Sequence, residues 1–312
     1  MYVIRRVGIF AFSVFVASIL VFSVMSILPG DPATVMLGTQ ATPEALESVR
    51  SQLGLDRPIP VQYLDWLSGA VRGDLGESVF TGQAIAPQIV DRLEITIPLA
   101  VIAMSLTIMI SFPLGVFAAA RHRTAGDAVV SVLSQLGLAI PAFWAGLILV
   151  TVFAVGYRWF PANGFPGWDV SVWESLRSLF LPAVSLSIVQ SAIITRYVRS
   201  AVLDTLREDY IRTARSKGLT RSAALWRHGL RNAAIPVLTI LGLQFAALLA
   251  GTVVIETVFV LPGLGRMLLG AITRRDLPLV QGGAFAIVVL ILGVNLIIDL
   301  SYRLVDPRVQ VR

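Results

Sequence analysis

The sequence contains no cysteine and almost no lysine. The absence of cysteine from its 312 residues excludes a disulfide framework, a thiol nucleophile and an iron–sulfur site. The only lysine, Lys217, follows Ser216 rather than the glycine that a phosphate-binding loop requires, so the chain cannot carry a Walker A site. If ATP drives a process in which this chain takes part, hydrolysis must occur on another polypeptide.

Histidine is nearly absent too, and acidic residues avoid the apolar segments. His122 and His228 lie in different loops, and no cluster of His, Asp and Glu falls inside an apolar run, which argues against a metal centre and a proton-relay carrier. Glu256 and Asp299 lie at the edges of apolar runs, where we expect interfacial caps paired with nearby arginines. No Gly-x-Ser-x-Gly motif indicates a hydrolase. We predict no catalytic residue, no metal and no cofactor in this chain.

The composition is that of a polytopic membrane protein. Hydrophobic residues make up 56% of the chain and charged residues only 14%, and the mean hydropathy is +0.79. Six charge-free runs are long enough for a helix to cross roughly 30 Å of hydrocarbon. They are residues 7–28, 95–120, 128–157, 178–195, 232–255 and 277–298. The sequence therefore predicts an all-α protein with six transmembrane helices.

The distribution of arginine predicts the sidedness of these spans. Arg5 and Arg6 precede the first run, and residues 196–231 contain nine basic side chains but only three acidic ones. Residues 29–94 carry nine acidic and four basic side chains, and the loop at 158–177 contains three tryptophans, as expected of an outer interface. We predict that both termini are cytoplasmic. This topology also explains the pI near 10.3, so we expect no nucleic-acid partner.

The chain divides into two predicted parts. Residues 1–94 form the first transmembrane helix and an extracytoplasmic cap, in which residues 42–54 and 61–71 have the spacing of short amphipathic helices. In the first of these, Thr42 and Pro43 are the start signal and Gly54 is the stop. Residues 95–312 form a membrane core with five helices and a cytoplasmic hairpin at 209–236.

The hairpin is predicted from local signals. Asp209 can cap a first helix, the basic residue Lys217 suits its C-terminus, and Gly218 can turn left-handed just beyond it. Thr220 can then start a second helix.

One face of the first helix is predicted to form a contact ridge. Tyr210, Ala214 and Lys217 fall on one face, whereas Arg212 and Arg215 point elsewhere. From these signals alone, two interpretations stay open: a contact for a soluble partner, or a solvated loop whose arginines set the topology.

Neutral amide side chains are among the polar groups within the apolar runs. Gln135, Gln190, Gln244 and Asn295 can line a polar pathway, or they can hold helices together. We take Gln190, Gln244 and Asn295 as the pathway candidates.

Eight motifs in order resemble a known family, the B-type permease subunit of dipeptide, oligopeptide and nickel ABC importers, over nearly the whole chain. The motifs are Leu-Pro-Gly-Asp-Pro-Ala at 28–33, Leu-Gly-Leu-Asp-Arg-Pro at 53–58, Gly-Asp-Leu-Gly-Glu-Ser at 73–78, Ala-Ile-Pro-Ala-Phe-Trp at 139–144, residues 210–218, Leu-Pro-Gly-Leu-Gly-Arg at 261–266, Arg-Asp at 275–276 and Asp-Pro-Arg at 306–308.

The resemblance implies a type I ABC importer permease (MetI-like) fold in a bacterial cytoplasmic membrane. It also implies that the hairpin is the motif that couples the permease to one or two ABC ATPase subunits. Many relatives have Glu-Ala-Ala where this chain has Arg212, Thr213 and Ala214. The coupling residues so implied are Tyr210, Arg212, Thr213, Ala214, Lys217, Gly218 and Leu219.

The resemblance further implies a homologous C-type permease as the other half of a translocation pore, and an extracytoplasmic solute-binding protein that delivers di- or oligopeptides. A nickel chelate or glutathione remains an alternative cargo. A self-sufficient secondary carrier or channel and a non-transporting scaffold remain alternative functions.

Overall fold

The structure, a computed structural model, describes residues 2–27, 32–37, 41–52 and 54–305. Apart from one isolated bridge between Glu77 and Ala84, its regular elements in these ranges are helices. The helices are α1 Tyr2–Ile27, α2 Pro32–Leu37, α3 Pro43–Gln52, α4 Ile59–Val71, α5 Ile85–Ala120, α6 Ala125–Ala139, α7 Ala142–Leu149, α8 Val172–Thr205, α9 Asp209–Ser216, α10 Arg221–Ala224, α11 Leu230–Val258, α12 Leu264–Arg274 and α13 Leu277–Val305. The predicted all-α fold class is confirmed. The motif at 306–308 and residues 28–31 lie outside the described part.

The six predicted spans correspond to five continuous helices and one bent pair. α1, α5, α8 and α13 are each long and apolar enough to cross a membrane, as is the segment Arg221–Val258 that contains α11. The predicted third span at 128–157 is not a single straight helix. It consists of α6 and α7, bent by 95° where Pro141 follows Ile140, since proline disfavours helical geometry in the residue before it. α7 continues as a π-helical segment, Val150–Gly156.

The helices extend beyond the charge-free runs. α5 begins ten residues before the predicted span and includes Asp91, Arg92 and Glu94. α8 has 34 residues, with Pro182 in its interior. Charge-free length therefore marks the apolar part of a helix, and the hydrogen-bonded helix continues past it.

The backbone contacts group the chain into two compact units, Met1–Thr96 with Pro262–Gly293, and Ile97–Leu261 with Val294–Arg312. We call them unit 1 and unit 2. The predicted division into a helix with an extracytoplasmic cap, residues 1–94, and a membrane core, residues 95–312, stays a prediction.

Unit 1 contains the predicted cap helices. α3 and α4 match the amphipathic segments, and the backbone N–H of Ala45 donates to Thr42 Oγ1 at 3.2 Å, as expected of the start signal. Gly54 has φ +67°, which suits the predicted stop. A core of Ile85, Leu264 and Leu279 joins α5, α12 and α13. The ring of Trp66 in α4 packs edge-on against Phe285 at 5.3 Å.

Unit 2 is built around α8, whose middle, residues 178–195, is largely buried. Small residues let its neighbours approach closely. An ideal Cβ on Gly115 of α5 would lie 2.6 Å from Val198 Cβ, and one on Gly137 of α6 would lie 2.9 Å from Ala192 Cβ. Such small-residue contacts are the usual means of helix association in membranes. Glu256 of α11 is fully buried, and its expected role as an interfacial cap paired with an arginine stays a prediction.

Candidate coupling hairpin and pathway residues

The predicted hairpin is present and its turn has the expected geometry. α9 ends at Ser216, and Gly218 follows with φ +93°, the left-handed conformation that favours glycine. Thr220 caps α10, because its side chain accepts from the backbone N–H of Ala223 at 3.2 Å. The predicted cap at Asp209 is wrong by one residue. Glu208 is the N-cap, without a side-chain cap bond, and Asp209 lies in the first turn.

The interior of the hairpin differs from the predicted ridge. Ile211 and Ala214 are 0% and 7% exposed and pack with Ala224, with Leu206 and Leu219 at the edges. Ala214 therefore faces the inside of the hairpin and cannot share an exposed ridge with Tyr210 and Lys217. Sequence spacing placed these three on one side of a helix, but only the packing partners reveal which side is covered.

The exposed side of the hairpin is basic and carries one large aromatic residue. Arg212, Thr213, Arg215 and Lys217 are exposed, and Arg212 Nη1 lies 3.4 Å from Asp209 Oδ1. Trp226 is 66% exposed, and the sequence reasoning missed it. Aromatic and arginine side chains are the usual anchors of protein interfaces, so this surface suits a partner.

The hairpin is attached to both long helices that flank it. A π-helical segment, Leu225–Gly229, connects α10 to α11. A Cβ on Gly229 would lie 2.8 Å from Leu225 Cδ1 and 3.2 Å from Thr205 Cγ2 at the end of α8. Asn232 Nδ2 of α11 donates to Tyr210 Oη at 2.9 Å. The hairpin is therefore in contact with the end of α8 and with the start of α11.

The pathway candidates occupy different environments. Gln190 of α8 is 7% exposed, and Gln244 of α11 is half-buried. The Oε1 atoms of both are buried and have no hydrogen-bond partner among the residues that the structure describes. Asn295 Oδ1 lies 3.0 Å from the position of a Cβ on Gly242, so it packs closely against α11. This contact favours helix packing at Asn295, whereas the two glutamines have acceptors available to a ligand or water.

A charged cluster at the start of α6 was missed by the sequence reasoning. Arg199 Nε donates to Asp127 Oδ1 at 2.6 Å, and Arg199 Nη2 donates to Asp127 Oδ2 at 2.8 Å. His122 Nδ1 lies 3.2 Å from Asp127 Oδ2, and the backbone N–H of Arg123 donates to the same oxygen at 3.0 Å. The cluster ties α6 to α8. The two ionic residues are 72 positions apart, so no local pattern could pair them.

Comparison with known proteins identifies the family. Residues 1–100 match the family described as the N-terminal part of a binding-protein-dependent transport system membrane component. Residues 111–311 match the family described as "Binding-protein-dependent transport system inner membrane component".

Three relatives of nearly equal length illustrate the similarity. The chain is 39% identical over 309 residues to a probable peptide ABC transporter permease protein of Sinorhizobium fredii, covering 99% of both chains. It is 37% identical over 330 residues to the di/tripeptide transport system permease protein DppB of Pseudomonas aeruginosa, covering 99% of this chain and 98% of that protein. It is 39% identical over 312 residues to the oligopeptide transport system permease protein AppB of Bacillus subtilis, covering 99% of both.

These matches confirm the resemblance seen in the sequence, and with it the type I ABC importer permease (MetI-like) fold. The chain belongs to the family of membrane components of binding-protein-dependent transport systems and is a non-catalytic, multi-pass permease subunit of an ABC transporter.

Proposed function

We propose that the chain is one half of the translocation pore of an ATP-driven importer of di- and oligopeptides. The other half is a homologous C-type permease, and an extracytoplasmic binding protein delivers the peptide. The observation that carries this proposal is nearly full-length similarity to permeases named for di/tripeptide and oligopeptide transport. The same names favour peptides over a nickel chelate as cargo.

The hairpin is the proposed site of contact with the ATPase subunits. Its exposed surface presents Lys217, Arg215 and Trp226, and its interior residues Ile211 and Ala214 pack α9 against α10. Because the hairpin packs on the ends of α8 and α11, ATP-dependent motion of a bound subunit reaches two long helices of the core. A shift in nucleotide state thereby becomes a shift in the state of the pore.

The proposed orientation places the hairpin and both termini in the cytoplasm of a bacterium, with the protein in its inner membrane. The basic residues concentrated at 196–231 support this orientation, since basic loops remain on the cytoplasmic side. The cap helices α3 and α4 then lie on the outer side, where the binding protein docks.

The test is reconstitution in proteoliposomes. We expect uptake of a labelled tripeptide against a gradient only when this chain, the second permease, the ATPase subunits, the binding protein and ATP are all present. Uptake by this chain alone would overturn the proposal in favour of a secondary carrier. Full transport after Gln190 and Gln244 are both replaced by leucine would support a scaffold instead.

Variants of the hairpin separate coupling from assembly. Lys217→Glu and Trp226→Ala should abolish the stimulation of ATPase activity by loaded binding protein while membrane insertion is unchanged. Arg207→Glu is the matched control, because Arg207 is an exposed arginine in the turn before α9. Equal stimulation in all variants would show that the ATPase docks elsewhere.

A further inference from the structure

Two clefts in unit 2 open side by side along one face of α8. The first has a volume of about 590 Å³ and is lined by Gln135 of α6 and by Arg196, Tyr197 and Ser200 of α8. The second has a volume of about 490 Å³ and is lined by Tyr197, Ser200 and Asp204 of α8 and by Pro236 of α11. Since Tyr197 and Ser200 line both, the clefts are neighbours, and together we call them the trough.

The trough has opposite charges at its two ends. The guanidinium of Arg196 and the carboxylate of Asp204 are exposed, and among the described residues neither has an ion pair or a side-chain hydrogen bond. Arg199, which also lines the first cleft, is already occupied by Asp127. One cation is therefore available to a ligand at one end, and at the other end Asp204 is available beside the exposed carboxylate of Glu208, with the polar side chains of Tyr197 and Ser200 between the two ends.

We propose that the trough binds short zwitterionic peptides, with the C-terminal carboxylate on Arg196 and the N-terminal ammonium on Asp204. This inference rests on the proposed function, in which peptides pass through the protein. Peptides of different sequence share only their backbone and their two charged ends. A site that holds the ends therefore accepts many side chains.

The spacing of the two charges selects the length of the peptide. Eight residues separate Arg196 from Asp204, and a helix rises about 1.5 Å per residue, so the two positions are about 12 Å apart along α8. An extended chain spans roughly 3.5 Å per residue, so a peptide of three or four residues bridges them and a dipeptide does not. A dipeptide binds at one end only.

An anionic phospholipid is the competing occupant, because an exposed arginine beside a tyrosine at a membrane surface also suits a phosphate headgroup. Asp204 and Glu208 at the other end of the trough disfavour it, since two carboxylates repel an anionic headgroup.

The experiment uses the assembled transporter in nanodiscs without its binding protein. Ser200→Cys introduces the only thiol of this chain, because the sequence has no cysteine, and the thiol lies where the clefts meet. The rate of its reaction with N-ethylmaleimide is measured with increasing trialanine, against the assembly that lacks the Ser200→Cys change. We expect trialanine to slow the reaction and N-acetyl-trialanine amide, which has neither charged end, to leave it unchanged.

Variants that remove one charge in the Ser200→Cys background test which residue binds each end of the peptide. Arg196→Gln and Asp204→Asn should each raise the trialanine concentration for half-protection about tenfold or more, because each removes a charge-assisted hydrogen bond. For dialanine, only one of the two variants should have an effect. Arg207→Gln, outside both clefts, should change neither value.

Three results would overturn the inference: equal protection by free and capped trialanine, a thiol that does not react in the assembled transporter, or protection that follows anionic phospholipid content instead of peptide. If trialanine does not protect the thiol but peptide uptake is normal, this inference is wrong and the proposed function stands. If trialanine protects the thiol but the complete assembly shows no ATP-driven uptake, the trough is a peptide site and the proposed function is wrong.

Discussion

Ser78 and Asp276 are 198 positions apart in the chain, yet Ser78 Oγ donates to Asp276 Oδ2 at 2.5 Å in the buried part of unit 1. The other carboxylate oxygen of Asp276 accepts from the backbone N–H groups of Val79 and Leu279, both at 3.3 Å. Asp276 is 2% exposed and immediately precedes α13. One side chain thus holds the segment before α5 against the start of α13.

Asp276→Ala should loosen the segment around Ser78. Each buried donor that loses its acceptor costs about 1–3 kcal/mol, so opening should become roughly tenfold or more frequent. We expect faster hydrogen exchange at the backbone N–H of Val79, measured by mass spectrometry in detergent. Ser78→Ala is the matched control, because it removes the two bonds of the Ser78 hydroxyl, to Asp276 and from the backbone N–H of Thr81, and leaves the two backbone bonds to Asp276. Equal exchange in Asp276→Ala and wild type would show that the carboxylate does not hold this segment.

The ion pair of Asp127 and Arg199 should contribute far more to stability than an exposed pair. The Asp127 side chain is 8% exposed and Arg199 is 28% exposed, whereas the Arg57–Asp65 pair is 56% and 60% exposed. Removing one partner of a buried pair costs about 3–5 kcal/mol, because the other charge is left uncompensated. An exposed pair contributes about 0–1 kcal/mol.

We expect Asp127→Ala to lower the melting temperature in detergent markedly and Asp65→Ala to change it little. In the double variant Asp127→Ala/Arg199→Ala, the loss should be smaller than the sum of the two single losses, because no uncompensated charge remains. Additive losses would mean that the two side chains act independently.

Gly115 should not tolerate even a methyl group. Its added Cβ would meet Val198 Cβ at 2.6 Å and the backbone oxygen of Thr195 at 2.9 Å. Overpacking of this kind costs about 1–3 kcal/mol. Gly270 of α12 is the control, since a Cβ there meets nothing within 4 Å.

Gly270→Ala should stabilise its helix by about 0.5–1 kcal/mol through helix propensity. Melting temperatures are measured in detergent, and we expect Gly115→Ala to lower the melting temperature and Gly270→Ala to raise it. A stabilising Gly115→Ala would mean that α5 and α8 are further apart than the structure places them.

Substitutions at Gly218 should be limited by the backbone conformation of this residue and not by the space around it. Its φ is +93°, and a Cβ would meet nothing within 4 Å. A left-handed conformation costs an alanine about 1–2 kcal/mol, and asparagine tolerates it better. We expect the loss of stimulated ATPase activity to be larger in Gly218→Ala than in Gly218→Asn. Equal losses would point to a direct contact of the glycine with the partner.

Much of this organisation could be predicted because it depends on local signals. Six apolar runs, the cap helices and the turn at Gly218 each follow from composition or from a few neighbouring residues. What could not be predicted depends on tertiary packing. The burial of Ala214 and of Glu256, and the pairing of Asp127 with Arg199, depend on residues of other helices. The trough was missed for the same reason, since Gln135 and Arg196 belong to different helices.

Gln190 is the residue at which a role in transport separates most clearly from a role in packing. It is 7% exposed, and its Oε1 accepts no hydrogen bond within the described ranges of the chain. A buried acceptor without a donor costs about 1–3 kcal/mol, so Gln190→Leu removes a penalty and should leave the melting temperature unchanged or higher. Asn295→Leu is the contrasting variant. It places a larger side chain against Gly242, where space is short, and should lower the melting temperature.

If Gln190 lines the pathway, Gln190→Leu should lower tripeptide uptake severalfold in a protein that is as stable as wild type. A lower melting temperature with normal uptake per folded transporter would assign Gln190 to helix packing. A residue that only joins helices contributes to the stability of the protein and does not contact the transported peptide.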